Sequence, residues 1–169
     1  MKIAIIGYSG SGKSTLAKKL SKLYNINVLH LDSVHFLENW VERSNEEMNE
    51  LVLAFMNDNK DGWVIDGNYS KIAKNRFEEA DLIIFLNFNR FFCFKSAFKR
   101  YKENKGKTRS DMALGCEEKF DFEFMKWILY KGRNKRKRLW YKNIISNHKC
   151  TLVFKNRRQL TKYYNKIGE

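Results

Sequence analysis

Proline is absent from all 169 residues, so element limits have to be read from hydrophobic periodicity, glycine and capping residues instead. Cysteine is scarce. Cys93, Cys116 and Cys150 are widely spaced and odd in number; without a C-x-x-C pair they exclude the usual zinc and dithiol patterns and point to reduced thiols in a cytoplasmic protein. No apolar stretch approaches the length of a membrane span, and no basic leader with an apolar segment precedes the first strand, so neither secretion nor membrane insertion is expected. Helix-turn-helix, zinc-finger and RNA-binding signatures are also missing.

Acidic residues run short in one half only. Residues 1–80 hold 10 Lys or Arg against 11 Asp or Glu, whereas residues 81–169 hold 23 against 8, which places the net charge of +14 almost entirely in the second half. Residues 131–138 alone carry six positive side chains in eight positions. Such a field attracts polyphosphate, nucleic acid or both. A length of 169 residues suits one domain, residues 1–169, able to bury roughly 68 to 70% of its unfolded surface.

What is present is a complete phosphate-binding loop. Gly7-Tyr8-Ser9-Gly10-Ser11-Gly12-Lys13-Ser14 follows the apolar run Ile3-Ala4-Ile5-Ile6, and a glycine-rich turn after a buried strand lets backbone N–H groups surround phosphates. Lys13 supplies a point charge and Ser14 a hydroxyl for Mg²⁺. Thr15 follows directly, and Leu16, Ala17, Leu20 and Leu23 recur at helical spacing, so the loop opens onto an amphipathic helix whose N-terminus faces the phosphates. The expected ligand is a purine nucleoside triphosphate, ATP, with Mg²⁺.

Further apolar runs at residues 27–31, 63–65, 81–86 and 150–154 alternate with helical patterns. The expected fold is α/β: a five-stranded parallel sheet flanked by crossover helices, with ligands beyond the carboxyl ends of its strands. Asp32 and Asp66 stand where the second and third strands stop. Ser44-Asn45-Glu46-Glu47 has capping-box order, so one helix is expected within residues 33–61 as an acceptor-side insert. A basic aromatic helix from Arg90 to Tyr101 leads into the polar segment 103–115, which has little to bury and suits a lid. A long helix is expected from Glu117 to about Asn147, and a last one over 157–167.

This order of parts resembles the nucleoside-monophosphate kinase branch of the P-loop kinases, and specifically the DNA topology modulation protein family, whose members are also described as adenylate- or cytidylate-kinase-like. The resemblance is carried by Gly7 to Ser14, Leu31-Asp32 with Trp40, the stretch Trp63-Val64-Ile65-Asp66-Gly67-Asn68-Tyr69, Arg100, Arg109-Ser110-Asp111 and Gly115-Cys116-Glu117. Two positions depart from it: Asn39 precedes Trp40 where the family usually has Pro-Gly, and Ser96 stands where related kinases often carry arginine.

The resemblance implies a P-loop kinase fold and roles for particular residues. Lys13 would follow the β- and γ-phosphates. Asp66 would sit near the metal with Ser14, or else cap a turn to Gly67 and Asn68. Asp32 would contact the acceptor or the metal, or take the acceptor's proton, or else cap a helix or turn; His35 is close enough in sequence to join it. Arg100, Arg109, Arg133 and Arg136 would meet charge on the transferred group and the acceptor phosphate. Trp40 and Tyr69 would stack on a base or sugar, or pack.

Two functions are compatible with this pattern. One is a kinase transferring the γ-phosphoryl group of ATP to a nucleotide or other small acceptor. The other is an ATP-regulated protein that binds nucleic acid through its basic C-terminal half and modulates DNA topology.

Overall fold

Ile3 to Ile6 carry no polar alternation because the strand they form, β1 (Lys2–Gly7), is buried on both faces. Around it lie β2 (Asn27–His30), β3 (Trp63–Asp66), β4 (Leu82–Leu86) and β5 (Thr151–Phe154), in the order β2-β3-β1-β4-β5 with every pairing parallel. The computed structural model describes residues 1–168. Central β1 runs straight into the glycine-rich loop. In register, Ile5 pairs with Asp66 and Asp66 with His30, so β2 and β3 end level at the sheet's carboxyl edge while β1 runs two residues further, to Gly7.

Helix α1 (Lys13–Tyr24) turns Leu16, Ala17 and Leu20 inward, as its periodicity required. The interval expected to hold one helix holds three elements. A short α2 (Leu31–His35) follows β2 without a break, a 3-10 turn spans Glu38–Trp40, and α3 (Asn45–Asp58) begins at Ser44, whose hydroxyl accepts from the Glu47 amide at 3.1 Å. Asp32 therefore lies in the first turn of a helix that directly follows the second strand. In the 3-10 turn, Asn39 and Trp40 both adopt left-handed φ values, 58° and 66°. That conformation costs a side chain more than it costs glycine.

After α4 (Arg76–Glu79) and β4, α5 (Arg90–Asn104) runs three residues past its expected end and absorbs the start of the expected lid. The long basic helix is broken. It consists of α6 (Phe122–Leu129), a 3-10 turn (Lys131–Arg133) and α7 (Lys135–Asn147), each helix with its own cap: Asp121 accepts from the Phe124 amide, and Asn134 from the Lys137 amide. The break falls at Gly132, where a Cβ would stand 2.9 Å from the Trp127 carbonyl oxygen. Phe120 ties α6 to α5 through Phe94, Phe98, Tyr101 and Phe124. Helix α8 (Arg157–Ile167) closes the described chain.

Close packing of α5 on the loop fixes one glycine. Gly10 has φ 78°, and a Cβ there would meet the Cys93 carbonyl oxygen at 2.3 Å. Gly10→Ala is expected to cost about 2 kcal/mol or more, from left-handed strain and overpacking together. Thermal unfolding checks it: an unchanged melting temperature would contradict this contact.

Candidate active site

The loop is held by its neighbours as well as by its glycines. The Gly7 amide donates to Asn68 Oδ1 at 3.0 Å, and Asn68 Nδ2 donates back to the Gly7 carbonyl at 2.6 Å. Within the loop, the Ser11 amide and Lys13 Nζ both donate to the Tyr8 carbonyl, at 3.1 and 3.3 Å. Helix α1 starts from Gly12 with no side-chain cap and no acidic residue in its first turn. Its unpaired N–H groups and positive dipole end are left for an anion. Ser9, Gly10, Gly12, Lys13, Ser14 and Thr15 line the cleft beyond. Tyr8 does not present its side chain there: the ring is buried edge-on against Tyr141, so only its backbone faces the loop's interior. Ser11 is likewise buried.

Lys13 is half-buried in the cleft wall, and its loss of water pushes its pKa below the usual lysine range against the opposing pull of Asp32 and Asp66. One residue on, the Ser14 hydroxyl donates to Asp66 Oδ2 at 2.9 Å. The other carboxylate oxygen, Oδ1, takes His30 Nδ1 at 2.5 Å. Both oxygens of Asp66 are thus directed by partners from α1 and β2, and neither is engaged by Gly67 or Asn68 amides, as a turn cap would require. His30 was not singled out in the sequence. Its place opposite Asp66 follows from parallel register, which only the pairing of β2 with β3 reveals.

Asp32 Oδ1 accepts from the Tyr69 hydroxyl at 2.8 Å. Burial and the adjacent carboxylate push the Tyr69 pKa far above the normal tyrosine value, so the phenol stays a donor. Tyr69 is steadied from below by Arg76, a buried arginine that donates to the Tyr69 and Ala73 carbonyls at 2.8 and 3.1 Å and whose pKa burial lowers to about 9. His35 stacks beside Tyr69, with ring centroids 4.8 Å apart, and lies 3.7 Å from Glu42. Trp40 packs edge-on to Phe36 and beneath Lys119. His35, Phe36, Trp40 and Tyr69 all line the cleft opposite the loop.

Segment 105–120 lies across this cleft and is pinned there, contrary to the expectation of a strip with little to bury. Thr108 bridges Glu117, Lys18 of α1 donates to Ser110 at 2.7 Å and Asp111 at 3.3 Å, and Cys116 is buried against Leu37 and Trp40. Arg109 Nη1 donates to Asp111 at 2.6 Å and its Nε lies 2.5 Å from Glu118; Arg100 grips the other Glu118 oxygen at 2.7 and 2.8 Å. Arg100 and Arg109 both line the cleft, with the buried Asp111 and Glu118, neither singled out in the sequence, as their partners.

Arg133 and Arg136 do not join them. Arg133 turns toward the protein interior, where it donates to the Ile128 and Phe88 carbonyls at 3.1 and 3.0 Å and to Cys93 Sγ at 3.3 Å, and covers the Tyr8 ring at 3.6 Å; these four contacts beneath the loop use its guanidinium. Arg136 is exposed and does not line the cleft. Beyond residue 120, the basic residues that do line it are Lys137 and Arg157. The cleft has a volume of about 1260 Å³, above the usual range for one small ligand.

Residues 3–119 match the family described as an AAA domain. No curated protein matches the sequence. Among solved structures, the chain is similar to an uncharacterized protein from Eubacterium ventriosum ATCC 27560 (18% identity over 99% of this chain and 97% of that one, TM-score 0.55). It is also similar to shikimate kinase from Bacteroides thetaiotaomicron (18%, 99% and 95%, 0.55) and to deoxyadenosine kinase from M. mycoides with bound dATP (18%, 100% and 100%, 0.55). At such identities the likeness is one of fold. The five-stranded parallel sheet with its helices is the P-loop kinase fold.

Proposed function

Because the chain belongs to the AAA domain family, a P-loop family, we propose that it is a phosphotransferase that moves the γ-phosphoryl group of ATP to a small acceptor lying between Asp32 and the basic segment 100–118. The observation that carries this reading is the Ser14–Asp66 hydrogen bond at 2.9 Å, one residue from Lys13 and at the mouth of an uncapped helix. An ordinary glycine turn has no need of a strand-end carboxylate on the first-turn serine.

Hard oxygen donors from Ser14 and Asp66 fit Mg²⁺, which takes one or two protein oxygens beside substrate phosphates and waters. When bound, that ion neutralises charge across the β- and γ-phosphates. The chain's own residues do the positioning. Loop amides and Lys13 hold the phosphate oxygens, and His30 fixes the angle of the Asp66 carboxylate. On the acceptor side, Tyr69 holds Asp32 Oδ1 and leaves Oδ2 to receive a proton from an attacking hydroxyl; for a phosphate acceptor, Asp32 orients instead. Arg100 and Arg109 stand where charge on the transferred group needs partners.

The test is a screen of nucleoside monophosphates, nucleosides and sugars for acceptor-stimulated ADP release. ADP release insensitive to every acceptor would overturn the kinase reading. Once an acceptor is found, Asp66→Asn is expected to raise the Mg²⁺ concentration needed for half-maximal turnover by roughly 10-fold, since the amide keeps the shape and loses the charge. An unchanged Mg²⁺ requirement would remove Asp66 from the metal's surroundings.

A further inference from the structure

We propose that Lys137 is the residue by which helix α7 reaches the terminal phosphate of the bound nucleotide; this rests on the nucleotide-binding reading above. The C-terminal half carries most of the positive charge, yet Arg133 is spent on carbonyls beneath the loop and Arg136 stands in solvent. Lys137 alone among the basic residues of α7 lines the cleft, where it shares a wall with Ser9 and Trp127. Its place has three structural causes. The Gly132 break redirects the chain after α6, Asn134 caps α7 on the Lys137 amide at 2.9 Å, and Tyr141, one turn later on the same face, is buried against Tyr8. That face is thereby turned onto the outer arc of the loop.

The surroundings define what the ammonium is for. Trp127 donates its indole N–H to the Ser9 hydroxyl at 3.2 Å, which seals α6 to the loop. Lys137 Nζ lies 5.7 Å from the Trp127 ring and 5.9 Å from the Trp140 ring. No carboxylate pairs with it among the described residues, whereas Lys18, Arg100 and Arg109 all have one. Burial, with Arg136 adding to it, holds Lys137 below the usual lysine range; an anion beside the ammonium reverses that cost. The loop's amides converge on phosphate oxygens, and Lys137 shares its wall with Tyr8 and Ser9, which precede the start of α1 at Lys13 by four residues or more; a cation at that end of the loop faces the terminal phosphate rather than the nucleoside.

The geometry makes a differential prediction. Lys137→Met keeps the aliphatic stem between the two indoles and removes only the charge, so it should weaken binding of the Mg²⁺ complex of the β,γ-imido analogue of ATP about 10-fold or more and leave Mg²⁺–ADP affinity unchanged. Lys137→Arg should restore most of the difference. Calorimetric titration of wild type and both variants with the two nucleotides reads this without any acceptor. An equal loss for both nucleotides, or none for either, would overturn the assignment and leave Lys137 a packing residue. If wild type binds neither nucleotide, the phosphate-loop reading itself fails and takes this inference with it.

Discussion

Lys13→Ala is expected to weaken Mg²⁺–ATP binding at least about 100-fold while the protein stays folded. The reason lies in what Lys13 does without a ligand. Its ammonium has one hydrogen bond, 3.3 Å to the Tyr8 carbonyl, and is held below the usual lysine pKa by loss of water. A charge kept in that condition contributes little to folding and is stabilised only when a phosphate arrives. A charge-assisted bond of this kind is worth about 1.5 to 3 kcal/mol, and the strain relieved at the lysine adds to it. Calorimetry gives the affinity and thermal unfolding the stability. Undiminished ATP affinity would falsify the phosphate-binding role of the loop.

The same residue shows why the donor side of the cleft was legible in the sequence. A strand, a glycine turn and a helix are consecutive, so the residues expected to hold phosphate are neighbours along the chain and their spacing encodes their geometry. The stretch 63–69 was legible as a unit without its purpose. The structure distributes that purpose over consecutive residues: Asp66 to Ser14, Asn68 to Gly7, Tyr69 to Asp32. His30 escaped because it meets Asp66 through strand register, which a single sequence does not print.

Helix limits in the basic half were misread for a different reason. Charge and aromatic residues run continuously from 117 to 147, and periodicity alone gave no reason to stop. The caps were there to be read, in Asp121 and Asn134 with Gly132 between them. The consequence was functional, since a continuous helix gave no means of telling Arg133 and Arg136 from Lys137; the turn at Gly132, the Asn134 cap and the buried Tyr141 together bring Lys137 to the cleft.

Arg109→Ala is expected to lower the acceptor-dependent rate by roughly 10² to 10³, about 2.7 to 4 kcal/mol of barrier, with ATP affinity nearly unchanged. The ion pairs around it decide how that result must be controlled. Arg109 has Asp111 at 2.6 Å and Glu118 at 2.5 Å, and both carboxylates are buried. Its removal leaves neither one alone, because Glu118 keeps Arg100 and Asp111 keeps Lys18. The variant should therefore fold. Glu118→Ala is the opposite case: it leaves Arg100 and Arg109 facing each other without their shared counter-ion, with Arg100 losing its carboxylate and Arg109 keeping only Asp111, so it is expected to lower stability more than Arg109→Ala does. Thermal unfolding of the two variants, beside steady-state turnover with the identified acceptor, separates the roles. A large rate loss in Arg109→Ala at modest stability loss marks a guanidinium that exchanges its carboxylates for the transferred phosphoryl group. Wild-type turnover in Arg109→Ala would make the residue a structural cation of the 105–120 segment and leave Arg100 to meet the developing charge.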